Sequence, residues 1–208
     1  QFRELQTRLE REEATREILS VISQSPDDEQ PVFDTILENA AKLCGLSNAN
    51  LALLDEQREN YVFRASWGDA YKFVPIGAKG AVTNGTVVGI AIREARPYQV
   101  KDLSDTDLYR QGDPHRRRLV DDEGVRTLMA VPLISGGEVI GCISLRRSEA
   151  KEFSDDQITL LETFAAQAVI AIENVRQFRE LQTRLEREEA TKEILSVISQ
   201  TSDDEQPV

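Results

Sequence analysis

The chain begins and ends with the same segment. Residues 1–32, QFRELQTRLEREEATREILSVISQSPDDEQPV, return as residues 177–208, and only Arg16/Lys192, Ser25/Thr201 and Pro26/Ser202 differ. Chance does not produce such a match, and self-similarity at a fixed offset is the mark of a repeat array. Either tandem domains share near-identical connectors, or one connector has been grafted. The expected organisation is one period of an array: a linker helix at 1–24, a domain at 25–176 and a second linker copy at 177–208. The unique portion is long enough to bury a core of its own.

From Phe2 to Ile22 there is no Gly or Pro, and the pairs Glu4/Arg8 and Glu12/Arg16 sit four apart in the helix-favouring orientation. Phe2, Leu5 and Leu9 take coiled-coil spacing. Continuing that register puts Glu12 and Arg16 in the seam before Leu19 restores it. Two readings stay open: a deliberately weak seam with two registers of comparable energy, or an amphipathic helix lying on its own domain.

Pro31, Val32, Ile36, Leu37, Ala40 and Leu43 predict a second helix stopped by Gly45. Strands are expected at 50–54 and 61–66, joined by a polar turn. An excursion at 67–84, holding Pro75, Gly77 and Gly80, precedes a helix at 86–94 and a strand at 98–103. A polar excursion at 104–123, with a helical turn from Pro114, precedes strands at 125–134 and 139–146 around Gly136-Gly137. Ser154 and Gln157 form a capping-box pattern. From Asp155 to Gln206 there is again no Gly or Pro, and the stripe Ile158, Leu161, Ala165, Ala168, Ile172 and Val175 runs into the second linker copy. That helix would reach about 67 Å.

The element order gives an α+β fold: an antiparallel sheet with helices on one face, flanked by long N- and C-terminal helices. The first and last helices are expected to pack together, so that both linker copies leave from the same end.

A net charge of −12 opposes phosphate contacts and excludes a nucleic-acid surface. Arg116-Arg117-Arg118, followed by Asp121-Asp122-Glu123, reads as a solvated helix face rather than an anion site. Cys44 and Cys142 lie in apolar surroundings, which points to structural thiols in a reducing, cytoplasmic setting. No apolar run approaches the roughly 20 residues that span a bilayer, so no membrane contact is expected. His115 is the single histidine and sits in a polar loop. It gives neither a metal set nor an oriented base for a nucleophile, and the acids at 102, 105, 107 and 121–123 read as solvated. The chain is not expected to be an enzyme.

The stretches QPVFDTILENAAKLCG, NGTVVGIAIREARPYQVKDL, GVRTLMAVPLISGGEVIGCISLRR and FSDDQITLLETFAAQAVIAIENVR together resemble a GAF domain of bacterial multi-domain sensor proteins, over roughly residues 20–180. The resemblance implies a six-stranded antiparallel sheet with helices opposite a ligand pocket. It also implies parallel dimerisation through flanking helices, tandem repeats, and a place upstream of a histidine kinase or nucleotide cyclase. The chain departs from the cyclic-nucleotide signature: Phe153 matches, but Arg146-Arg147 stand near its Asn-Lys and Gln157-Ile158 replace its acidic pair. No Cys-His dipeptide is present for a bilin thioether, and Cys44 and Cys142 do not resemble the loop cysteines of the methionine sulfoxide reductases of this fold. No ligand is assigned. Trp67, Tyr71, Phe73, Tyr109, Arg126 and Thr127 are the candidate lining of a pocket between the sheet and the two excursions; the alternative is that the aromatics fill the core and Arg126 is surface. Two functions follow: a sensor of a small molecule that passes a change through the linker helices, or a ligand-free spacer in a tandem array.

Overall fold

The N-terminal helix α1 (Phe2–Gln24) carries two stripes with opposite fates. Ala14, Ile18 and Ile22, four apart, are buried at 4%, 0% and 8% exposure, against a second helix, α2 (Gln30–Cys44). Leu9 and Leu19, with Glu12 and Arg16 between them, face solvent. The helix therefore lies on its own domain, with the Leu9, Glu12, Arg16 and Leu19 part of the seam pattern on its free face; the side chains of Phe2 and Leu5 lie outside those described. The computed structural model describes residues 2–46, 48–68 and 75–203, with side chains inside the span 8–192.

Pro31 sits in the first turn of α2, where its missing N–H costs nothing. The helix closes on Gly45 at φ 66°: the Gly45 N–H donates to Lys42 O and the Leu46 N–H to Ala41 O, a Schellman cap.

Six strands follow, all antiparallel: β1 (Asn48–Leu54), β2 (Asn60–Gly68), β3 (Lys79–Ala81), β4 (Tyr98–Val100), β5 (Thr127–Ser135) and β6 (Glu138–Arg147). Their order across the sheet is β3-β2-β1-β6-β5-β4. Gly136 and Gly137, at φ 58° and 86°, make the tight turn between β5 and β6. β3 lies inside the 67–84 excursion, where three residues around a glycine carry no alternation to read. β4 stops earlier than its apolar pattern, because Asp102 caps a 3-10 turn at Leu103–Asp105.

One sheet face presents Leu51, Ala65, Met129, Val131, Ile143 and Leu145 to α1, α2 and the C-terminal helix α6 (Asp155–Asp203). The other is covered by α3 (Val87–Glu94), by the short helices α4 (Asp107–Arg110) and α5 (Pro114–Arg117), and by a π-helical turn at Arg118–Asp122. The expected capping box starts α6: the Gln157 N–H donates to Ser154 Oγ at 3.3 Å, and the Ser154 N–H to Gln157 Oε1 at 3.1 Å. The helix runs 49 residues, about 74 Å. Leu161, Phe164, Ala168 and Val175 are buried, whereas Leu181 and Leu185 in the second linker copy are 57% and 59% exposed. A window of α6 has the length and mean hydropathy, 1.3, of a membrane-crossing helix, which the sequence reading by apolar runs did not register. Half of that window is buried in the domain, so the core accounts for it.

The expectation that both linker copies leave from one end is overturned. Arg11 Nη2 donates to Asp156 O at the start of α6, and Arg179 Nη2 reaches Asp27 O and Glu29 Oε2 just past the end of α1, each at 3.4 Å. The two helices run parallel, so the chain enters beside the start of α6 and leaves beyond the end of α1. Apolar faces require that two helices meet, but they do not fix the direction in which they run.

Candidate functional site

Strand alternation divides β6 between two tasks. Ile143 and Leu145 turn to the helices, while Ser144 and Arg146 turn to the other face. There they join Tyr61 and Phe63 of β2 and Leu128 of β5 as the floor of a cavity of about 290 Å³. Its roof is β3, the N-terminal turn of α3 and the segment from His115 to Glu123. Thr86 caps α3 by accepting the Gly89 N–H at 2.9 Å.

Among the described residues, the cavity is lined by Lys79, Arg116, Arg118 and Arg146 against one carboxylate, Glu123, in a chain that is acidic as a whole. Glu123 is buried and answers two of the cations: Arg146 Nη1 donates to Oε2 at 2.5 Å and Arg118 Nε to Oε1 at 3.1 Å. Burial lowers the Arg146 pKa and Glu123 opposes that shift. Arg116 is 4% exposed. Its Nη2 donates to Gly85 O at 3.2 Å, and among the described residues its Nε and Nη1 have no partner. Burial lowers its pKa as well. Beside this floor runs a buried polar row: Ser66 Oγ donates to Asn50 Oδ1 at 2.9 Å, and Asn50 lies across the ladder from Ser144. Burial pushes the Tyr61 phenol up to about 12. A shallower recess of about 330 Å³ opens beside Cys44 and Arg147, where the Arg147 guanidinium is held by Gln157 Oε1 at 3.0 Å and lies 4.2 Å from the Phe153 ring centre.

Four of the six candidate lining residues, Trp67, Tyr109, Arg126 and Thr127, stand away from this cavity. Trp67 is half-buried against the helix-side core. Tyr109 donates its hydroxyl to Asp121 Oδ1 at 2.8 Å, under the Arg117 guanidinium at 4.4 Å. Arg126 is bound to Asp102. Thr127 is buried with Oγ1 at 2.6 Å from Lys101 O and 2.7 Å from Glu149 O, and it accepts the Lys151 N–H at 3.0 Å. Tyr71 and Phe73 lie outside the described residues. The solvated-face reading of 116–123 holds for Arg117, Arg118, Asp121 and Asp122, which are exposed, and is corrected for Arg116, which is buried in α5, and for the Glu123 side chain, which follows the π-helical turn inward. The legible signal was in β6, where Ser144 and Arg146 alternate with Ile143 and Leu145 in an otherwise apolar strand.

Residues 26–173 match the GAF domain family. The chain belongs to that family of signalling and sensor modules. This GAF domain is 30% identical over 96 residues to the formate hydrogenlyase transcriptional activator FhlA of Escherichia coli strain K12, covering 44% of this chain and 14% of that protein. The chain thus spans about one seventh of that relative's length. Among solved structures, it superposes on the GAF domain of a phosphoenolpyruvate-protein phosphotransferase from Coxiella burnetii with a TM-score of 0.67 at 17% identity, over 83% of this chain and 98% of that one. A domain of a putative two-component sensor histidine kinase from Sinorhizobium meliloti 1021 gives 0.57 at 19% identity, over 73% and 95%. These likenesses show the fold; GAF domains of this kind stand inside multidomain proteins with kinase or other outputs.

Proposed function

We propose that this GAF domain senses a small molecule in the cavity above β2, β5 and β6 and passes the change to an output domain through α6. One observation carries the reading: β5 and β6 hold the cavity floor on one face and the seat of α6 on the other, so a shift of Ser144 or Leu128 moves Ile143 or Met129 in the core they share with Leu161 and Phe164 of α6. A ligand biases such a coupling only by its differential affinity for the two states. The exposed Leu9, Leu19, Leu181 and Leu185 are the pairing surface of a parallel homodimer. The second linker copy serves as the first core helix of a neighbouring GAF repeat, and a histidine kinase or nucleotide cyclase follows in the parent protein. The module works in the cytoplasm without catalysis and without contacts to nucleic acid or membrane. Supporting the non-enzymatic reading, burial pushes Cys44 to about 11 and Cys142 to about 12, far from a thiolate at neutral pH.

A second reading, a ligand-free spacer, draws on the near identity of the two linkers, which suits regular stacking. Native mass spectrometry of the freshly purified chain separates the two. A dimer carrying a non-covalent mass lost on denaturation supports the sensor; a clean dimer supports the spacer; a monomer removes the helix pairing from both.

A further inference from the structure

The two copies of the repeat share their sequence but not their surroundings. In the first, Ala14, Ile18 and Ile22 are buried in one core with Phe33, Ile36 and Leu37 of α2 and Phe164 of α6. At the rim Glu17 Oε2 accepts a hydrogen bond from Asn39 Nδ2 at 3.0 Å, and Arg11 Nη2 donates to Asp156 O. The same positions of the second copy are Arg187, Ala190, Glu193, Ile194 and Ile198, identical residue for residue. There Ala190 is exposed. The three differences between the copies avoid this face: Arg16 is exposed, and Ser25 and Pro26 follow the end of α1. Apolar residues at four-residue spacing on a helix stabilise only by being covered. The cover that fits this set is the one the first copy already has.

We propose that residues 177–200 are a docking helix whose partner is a second copy of this domain, received on the surface of α2 and α6 that α1 covers here. The inference rests on the reading of the chain as one unit of a GAF array and adds the surface, the partner and the spacing. Arg11 lies beside Asp156, and its counterpart Arg187 stands 31 residues further along the helix that carries Asp156, from 156 to 187. A partner docked in the same way is therefore displaced by about 46 Å along α6. A domain of roughly 150 residues is about 40 Å across, so successive domains follow one another along the helix without collision. The donor helix and the receiving surface are different parts of the molecule, so the contact is heterologous and extends rather than closes. In this chain the receiving surface is already filled. Residues 25–29 tether α1 to α2, and a tethered helix outcompetes an identical one from another molecule. Docking between molecules therefore requires that the first copy leave its place.

The test is a fluorescence-anisotropy titration of a labelled peptide of residues 177–200 against the full chain and against its Ala14→Glu variant, in which a buried charge drives α1 from its place. The peptide should bind Ala14→Glu at least tenfold tighter than the unmodified chain and raise the variant's Tm. The same peptide carrying Ala190→Glu should bind at least tenfold more weakly. In analytical ultracentrifugation Ala14→Glu should assemble further with rising concentration than the double variant Ala14→Glu with Ala190→Glu. If Ala14→Glu does not fold alone, Ile18→Ala, which removes packing without adding charge, replaces it in the titration with the same ordering expected. Equal binding to the unmodified chain and the opened variant, equal binding of the two peptides, or equal assembly of the single and double variants overturns the inference. A peptide of residues 1–24 separates the two ways of failing. If it binds and 177–200 does not, the copies are not equivalent and the array reading falls as well; if neither binds, the docking helix falls alone. The sensor reading is decided separately, by the non-covalent mass.

Discussion

Arg126 grips Asp102 with both sides of its fork, Nε to Oδ1 at 2.8 Å and Nη2 to Oδ2 at 2.5 Å. Asp102 also accepts the Ser104 N–H at 3.0 Å and so caps the 3-10 turn that follows β4. The Arg126 hydrogen bonds, with those from Ser104, hold the Asp102 carboxyl well below the usual carboxylate range. A folded-state pKa depressed in this way contributes stability above the unfolded value near 4, lost as pH falls below it. Urea unfolding from pH 7 to pH 3 should show an acid-side loss that shrinks in Asp102→Asn. Asp102→Ala should cost about 1 kcal/mol more than Asp102→Asn, the worth of the cap that Asn retains.

Ala14 and Ala190 are the same residue of the repeat, yet Ala14 is 4% exposed and Ala190 is solvent-exposed. Ala14→Glu should cost at least about 2 kcal/mol by placing an unpaired charge against α2. Ala190→Glu should stay within about 0.5 kcal/mol in this chain. Chemical denaturation of the two variants reads the difference. Equal costs would mean that the second copy already packs on this domain.

Gly89 is held by space, not by a positive φ. A Cβ there would lie 2.1 Å from Thr83 O and 2.7 Å from Thr83 N, both backbone atoms that cannot swing aside. Gly89→Ala should cost about 1–3 kcal/mol. Because the strain falls where Thr83 and Thr86 line the cavity, it should also weaken any ligand more than Gly45→Ala does, which touches nothing within 4 Å. Calorimetry on the two variants makes the comparison.

Glu12 and Arg16 stand exposed between Leu9 and Leu19. Replacing both by Leu completes an apolar seam at three-four spacing and should tighten self-association by at least tenfold. Analytical ultracentrifugation measures it, and unchanged association counts against pairing through this face.

Cys44 and Cys142 should resist a thiol reagent in the native state at pH 8 and react fully on unfolding, since both thiols are buried. The unfolded chain releases their protons from about pH 9, while the folded chain keeps them to about 11 and 12. Their linkage therefore leaves stability flat below about pH 8 and lowers it as pH rises beyond 9.

Local signals carried much of the fold. Gly45 stops α2, Ser154 and Gln157 start α6, and Gly136-Gly137 turn β5 into β6, because each is a hydrogen-bonding or dihedral requirement met within a few residues. The stripes of α2 and α6 were legible for the same reason: period fixes which face is buried. The cavity was not. Arg116, Glu123 and Arg146 are scattered over 31 positions of sequence, and only the packing of α5 and the turn after it against the sheet brings them to one cavity. Trp67 and Arg126 looked like pocket residues because aromatic and cationic side chains suit pockets, but the register shift of β2 opposite Leu51 and Ala52 turned Trp67 away from the face of Tyr61 and Phe63, and Asp102 captured Arg126. The sequence by itself determined the helices, most strands, the family and the repeat, all properties of spacing along the chain. Only the tertiary structure decided that α1 and α6 run parallel, that Ala14 of the first copy is buried while Ala190 of the second is exposed, and which charges share a cavity. Those depend on which distant faces meet, and the energies that choose among such meetings have no local signature.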